Sequence, residues 1–167
     1  MLKVLAPYGK MNPYNQSRTR GFSMKNALYV DTMIGTVGDG QIEESHGGGK
    51  TYPGACVPGG MVQLSPDTVS GGDNGSGYNY CHNTIEGFSF NHMSGIGWYG
   101  DLGNLQIMPV TGETDLRSGS NEHVEFKKGT LGWKSGFSHD SEVTKAGYYA
   151  VKLDRYDIFA EATANVH

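Results

Sequence analysis

Eighteen of the 26 glycines lie between Gly35 and Gly103, while residues 1–34 hold two and residues 104–167 hold six. Glycine opens positive φ and close backbone approach, at a high entropic cost on folding. A middle third this rich in glycine excludes long helices and predicts loops joining short strands. Its most informative stretch, GFSFNHMSGIGWYGDLGNLQIMP over residues 87–109, sets five glycines beside His92, Trp98, Tyr99 and Asp101. Glycines on both sides of an indole weaken any strand that would bury it. The stretch therefore reads as a shaped surface.

The chain around it has the material for one domain. Its 167 residues are 37% hydrophobic, enough for a core, and 18% charged, below the ordinary level of about 25%. A formal net charge of −4 gives no basic footprint for nucleic acid. No apolar run approaches the roughly 20 residues that cross a bilayer, so neither nucleic acid nor membrane is an expected partner. Residues 1–30 carry Lys3, Lys10, Arg18, Arg20 and Lys25 without an acid, and Pro7, Gly9 and Pro13 interrupt any signal-peptide core. Residues 1–28 are expected to be a peripheral or disordered arm. Cys56 and Cys81 lack C-x-x-C spacing; buried free thiols are the favoured reading over one bridge.

Beyond Gly103 the pattern becomes strand-like over residues 105–110, 122–127, 148–153 and 158–163. In YYAVKL, Tyr149, Val151 and Leu153 share one face and Lys152 takes the other. Asp154-Arg155-Tyr156-Asp157 then turns the chain into IFAEAT, with Ile158, Ala160 and Ala162 facing in and Glu161 out, which predicts a β-hairpin. No helical stripe and no repeat of fixed period occurs. The fold class predicted is all-β, a β-sandwich. Because the sequence stops shortly after a strand with no turn or cap signal, the sandwich is expected to be truncated, with an unpaired edge strand.

Several motifs fail on context. Gly95-Ile96-Gly97-Trp98-Tyr99-Gly100 fits G-x-G-x-x-G, but the helix that would hold a pyrophosphate is missing, since Gly103 and Pro109 interrupt the residues after it. GGDNGSG over residues 71–77 has the composition of a calcium loop without EF-hand spacing. No G-x-S-x-G nucleophile elbow occurs, and the histidines are dispersed without i, i+4 pairing.

Five blocks in order carry a family resemblance: YVDTMIGTVGDG (29–40), GGGKTYPGACVPGGMVQLSPDT (47–68), GYNY (77–80), IEGFSFNHMSGIGWYGDLGNLQIMPVTG (85–112) and FSHDSEVTKAGYYAVKLDRYDIFAEATA (137–164). Together they resemble the amino-terminal domain of glycoside hydrolase family 92, the calcium-dependent exo-acting α-mannosidases. Gly59 stands where that pattern usually has phenylalanine, and Phe90-Asn91-His92 replaces a histidine-threonine-histidine type sequence. The resemblance implies a β-sandwich of the galactose mutarotase type over residues 29–167. It also implies a mannose-containing glycan as ligand and a second, (α/α)6 helical domain absent from this sequence. That helical domain would carry the acid, the base and most ligands of the calcium cofactor, which leaves the isolated chain inactive. Family members are commonly exported, although no signal peptide is visible here.

No catalytic residue is assigned within the chain. Asp67, Glu86 and Asp101 are the carboxyls in the glycine-rich blocks, and Asp67, in Ser-Pro-Asp-Thr, reads as a turn former. The expected sugar contacts are Trp98, through its stacking face and indole N–H, with His92, Asp101, Tyr99 and Gly97; Tyr78 and Tyr80 are rim candidates. His92 also fits a buried histidine, since it shares a face with Phe88 and Phe90. Two rival readings are a stand-alone carbohydrate-binding module, which needs no acid or base, and an inactive truncated product.

Overall fold

The computed structural model describes residues 2–5, 25–37, 50–68, 76–94, 105–113, 115–117 and 132–164. Among them there is no α-helix, only strands and short 3-10 turns, and the domain is all-β as its sequence predicts. Nine strands among the described residues form three antiparallel sheets. The largest has the order β1-β9-β8-β7, from Leu2–Leu5, Ile158–Thr163, Tyr148–Leu153 and Val143–Lys145.

The hairpin predicted from YYAVKL and IFAEAT is its centre, registered from Tyr148↔Thr163 to Leu153↔Ile158. Asp154–Tyr156 turn the chain, and Asp157 completes the reversal at φ 49. Tyr149, Val151 and Leu153 are buried, as are Ile158, Ala160 and Ala162, and Lys152 is exposed. Those inward positions alternate as period 2 requires, although Ala150, between two of them, is fully buried as well. The strand β7, not expected from sequence, joins β8 through the two-residue turn Ala146-Gly147, where Gly147 at φ 74 supplies a conformation that L side chains rarely adopt.

The expected unpaired edge does not fall at 158–163. The strand β9 is interior, with β8 on one side and β1 on the other. Residues 2–5, from the segment read as an arm, take the edge position. Of the run 105–110 only Gln106–Ile107 is strand, and residues 122–127 lie outside the described residues. The cysteines are free, but Cys56 is exposed and Cys81 half-buried, so the expectation of buried thiols is corrected.

Two smaller sheets come from the glycine-rich half. The strands β2 (Ser65–Asp67), β4 (Gly87–Ser89) and β5 (Gln106–Ile107) pair in that order, and β3 (Thr84–Ile85) pairs with β6 (Ser135–Gly136). Pro66 cannot donate to a ladder and sits, consistently, in the outer strand β2. Leu64, Ile85 and Phe88 from this half meet Tyr149, Val151, Leu153, Ile158 and Ala160 from the large sheet in one buried cluster. This shared core makes the layered β-sandwich. Beside it a buried ion pair, Lys134 Nζ to Glu86 Oε1 at 2.5 Å, ties the approach to β6 to the link between β3 and β4. The Trp133 indole donates to the Glu86 carbonyl at 2.9 Å.

Gly54 is the tightest point. A Cβ there would stand 2.2 Å from the Leu64 carbonyl oxygen and 2.4 Å from Ser65 Cα, both backbone atoms beside the Ala55↔Leu64 bridge. Gly54→Ala is therefore expected to cost about 1–3 kcal/mol, the ordinary penalty of overpacking. Thermal denaturation checks it, with a fall in Tm of roughly 2–12 °C expected. An unchanged Tm would show that the bridge yields freely.

Candidate functional site

A single buried carboxylate organises the glycine-rich half. Asp67 is the last residue of β2 and is buried, so it is not the turn former its local sequence predicts. Its Oδ1 lies 2.8 Å from His92 Nε2. Its Oδ2 accepts from Gln106 Nε2 at 2.8 Å and from the Ser89 hydroxyl. Two glycines make this convergence sterically possible. At Gly77 (φ 70) a Cβ would lie 2.6 Å from Asp67 Oδ1 and 2.9 Å from the His92 ring, and at Gly87 it would lie 2.6 Å from Gln106 Cγ.

His92 is held at both nitrogens. Its Nδ1 is 2.8 Å from the Gln63 carbonyl oxygen, and its ring packs at 5.3 Å from that of Tyr52. A carbonyl only accepts, so Nδ1 carries a proton, and Nε2 and Oδ1 hold another between them. Both nitrogens thus have partners inside the protein, as the reading of His92 as a buried histidine expects.

The positions of these partners matter. Ser89 and His92 precede residues 95–104, and Gln106 follows them, so one carboxylate binds both ends of that stretch. Gly97, Trp98, Tyr99 and Asp101 themselves lie outside the described residues.

A second buried carboxylate stands on the other side of Tyr78. Glu142 accepts from the Tyr78 hydroxyl at 2.9 and 3.1 Å, from the Tyr149 hydroxyl at 2.5 Å and from His139 Nδ1 at 2.5 Å. Burial, and then the Glu142 charge, push both phenols above their ordinary value of 10.0. Sequence reasoning placed Tyr78 on a rim; it is fully buried, whereas Tyr80 is exposed. Local spacing could not reveal the Glu142 cluster, because Tyr78 and Glu142 are 64 residues apart.

These partners bear on catalysis and on metal binding. Asp67, Glu86 and Glu142 are each engaged by protein donors. Among the described residues no three of His, Cys, Asp or Glu converge as a metal site.

Asp67→Asn is expected to lower stability by about 3 kcal/mol or more, because it removes the charge paired with His92 and offers an amide to groups that are all donors. Urea denaturation measures this, with Asp115→Asn, whose carboxylate meets Arg117 at the surface, as a control of unchanged midpoint. A second expectation concerns pH. Phenols with raised folded values contribute stability that is fully present below pH 10 and lost as pH rises above it. The urea midpoint should fall between pH 9 and pH 11 (about one unit either side of the free phenol value), and less steeply in Tyr78→Phe.

Comparison with known proteins agrees with this architecture. The Glycosyl hydrolase family 92 N-terminal domain model matches residues 29–167. An uncharacterized secreted glycosidase from Arthroderma benhamiae is 31% identical over 140 residues, covering 83% of this chain and 16% of that protein. A family GH92 α-mannosidase from Bacteroides thetaiotaomicron, solved with mannoimidazole, aligns with TM-score 0.69 at 40% identity, over 84% of this chain and 17% of its own. A family GH92 inverting mannosidase from Bacteroides thetaiotaomicron VPI-5482 aligns with TM-score 0.51 at 26% identity, over 78% of this chain and 15% of its own. The chain thus spans about one sixth of the length of these relatives. With that match over residues 29–167 and a β-sandwich shared with α-mannosidases of known structure, the chain belongs to glycoside hydrolase family 92, as its N-terminal domain.

Proposed function

We propose that this chain is the sugar-contacting N-terminal part of an α-mannosidase that releases terminal α-mannosyl units from glycans with inversion. The observation that carries the reading is the Asp67 clamp, which grips both ends of the stretch bearing Trp98, Tyr99 and Asp101 within a family 92 domain. Support for the substrate comes from the relative solved with mannoimidazole, and for the stereochemistry from the relative described as inverting.

In this reading the Trp98 indole stacks on the C–H face of mannose and donates its N–H to a hydroxyl, while Asp101 accepts from hydroxyls and Tyr99 lines the rim. Gly97 lets the sugar approach the backbone. His92 and Asp67 act as a frame that ties together the residues on either side of that stretch. Inversion needs two carboxyl groups about 6.5–9.5 Å apart, one protonating the leaving oxygen and one activating water. Asp67, Glu86 and Glu142 are committed to internal partners, so the acid and base are assigned to the remainder of the enzyme. So is calcium, together with the helical domain. The isolated chain should accordingly give no turnover of an aryl α-mannoside, with or without calcium.

The decisive experiment is Trp98→Ala. Loss of a stacking face worth about 0.5–1.5 kcal/mol predicts a 2- to 13-fold weaker response to methyl α-mannoside, read by NMR titration of the chain. Tm should be unchanged. A core tryptophan would instead cost about 3–5 kcal/mol of stability, and that loss with unaltered sugar binding would sink the assignment.

A further inference from the structure

The Glu142 cluster reaches the surface at His139. Tyr78 and Tyr149 are fully buried, but the His139 side chain retains 29% of its exposure while Glu142 retains 4%. The imidazole turns Nδ1 inward to the carboxylate at 2.5 Å. It stacks on Tyr80 with ring centroids 4.1 Å apart and planes 23° apart, and meets the edge of Phe137 at 5.0 Å. Tyr80 is 43% exposed.

Three constraints therefore fix one ring. Nδ1 is engaged by the carboxylate, which leaves Nε2 as the ring nitrogen directed away from Glu142. Stacking on Tyr80 and the edge of Phe137 prevent the ring from rotating. Glu142 itself does not depend on His139 for its solvation, since two tyrosine hydroxyls already donate to it. The structure thus holds an oriented polar nitrogen beside an exposed aromatic ring.

We propose that His139 and Tyr80 form a surface subsite for a neutral sugar unit, distinct from the Asp67 clamp. A hydrogen bond joins His139 Nε2 to a sugar hydroxyl, which can donate or accept, and the open part of the Tyr80 ring covers adjacent C–H groups. The charge touching the imidazole is negative, which disfavours an anionic ligand, and no metal-binding trio forms there among the described residues. The subsite rests on the reading of this chain as a sugar-contacting domain and adds a second point of contact to it. The segment 76–80 joins the two places, with Gly77 against the Asp67–His92 pair, the Tyr78 hydroxyl on Glu142 and Tyr80 on His139.

The test is NMR on the ¹⁵N-labelled chain, observing the imidazole nitrogens of His139, the ring of Tyr80 and the indole N–H of Trp98. In the free chain Nδ1 of His139 should carry the proton held by Glu142. Methyl α-mannoside should move the Nε2 resonance saturably, and the movement should persist in Trp98→Ala. His139→Phe keeps a ring on Tyr80 and both tyrosine donors on Glu142, so it should fold, and the response of Tyr80 to the sugar should weaken by roughly 2- to 13-fold, the value of one neutral hydrogen bond. Tyr80→Ala, at an exposed position, provides a second variant and should weaken the His139 response comparably. Movement of Nε2 that disappears in Trp98→Ala would overturn a separate subsite while leaving the Trp98 reading intact. Movement at His139 without movement at the Trp98 indole would do the reverse. A response to inorganic phosphate and none to the mannoside, or no response to the mannoside, overturns the proposal.

Discussion

A carboxylate withdrawn from water must be matched by donors, and in this domain the donors come from places the chain would otherwise leave apart. Asp67 draws on Ser89, His92 and Gln106, so its desolvation is offset only when β2, β4, β5 and the loop after β4 are in register. In short strands of two or three residues, ladder hydrogen bonds alone give little rigidity. The buried network supplies what the ladders lack.

The large sheet has a different basis. Its hairpin is held by six paired positions and by apolar side chains on one face, so hydrophobic burial dominates there. Glu142 links the two regimes, since it leads into β7 and accepts from Tyr149 on β8 and from Tyr78 in the glycine-rich half. The sandwich is thus joined by an apolar core at its centre and by buried carboxylates beside it. Glu86, paired with Lys134, is the third of these.

On the proposed reading as a sugar-contacting domain, this division has a physical logic. Glycine-rich loops can shape themselves around a polyhydroxylated ring, but each glycine costs order. Anchoring such a stretch at both ends lowers the entropy that binding would otherwise lose. A hydrogen-bonded charge does this with more directional control than an apolar contact. The same carboxylates are engaged by partners within the protein.

Local pattern carried the hairpin, because alternation of Tyr149, Val151, Leu153 with Lys152 and the Asp154–Asp157 turn are written within sixteen consecutive residues, 148–163. It carried the all-β class for the same reason, through glycine density and the absence of a helical period. The ordered blocks identified the family. Tertiary structure alone decided that Asp67 is a hub and not a turn, that both ring nitrogens of His92 have internal partners, and that Glu142 gathers two tyrosines and a histidine. The sequence separations, 22 to 39 residues around Asp67 and 64 from Tyr78 to Glu142, explain why. A side chain's backbone preference is set by its neighbours along the chain, whereas the protonation and hydrogen bonding of a buried charge are set by whichever distant groups the fold brings within about 3 Å of it, a distance typical of such bonds.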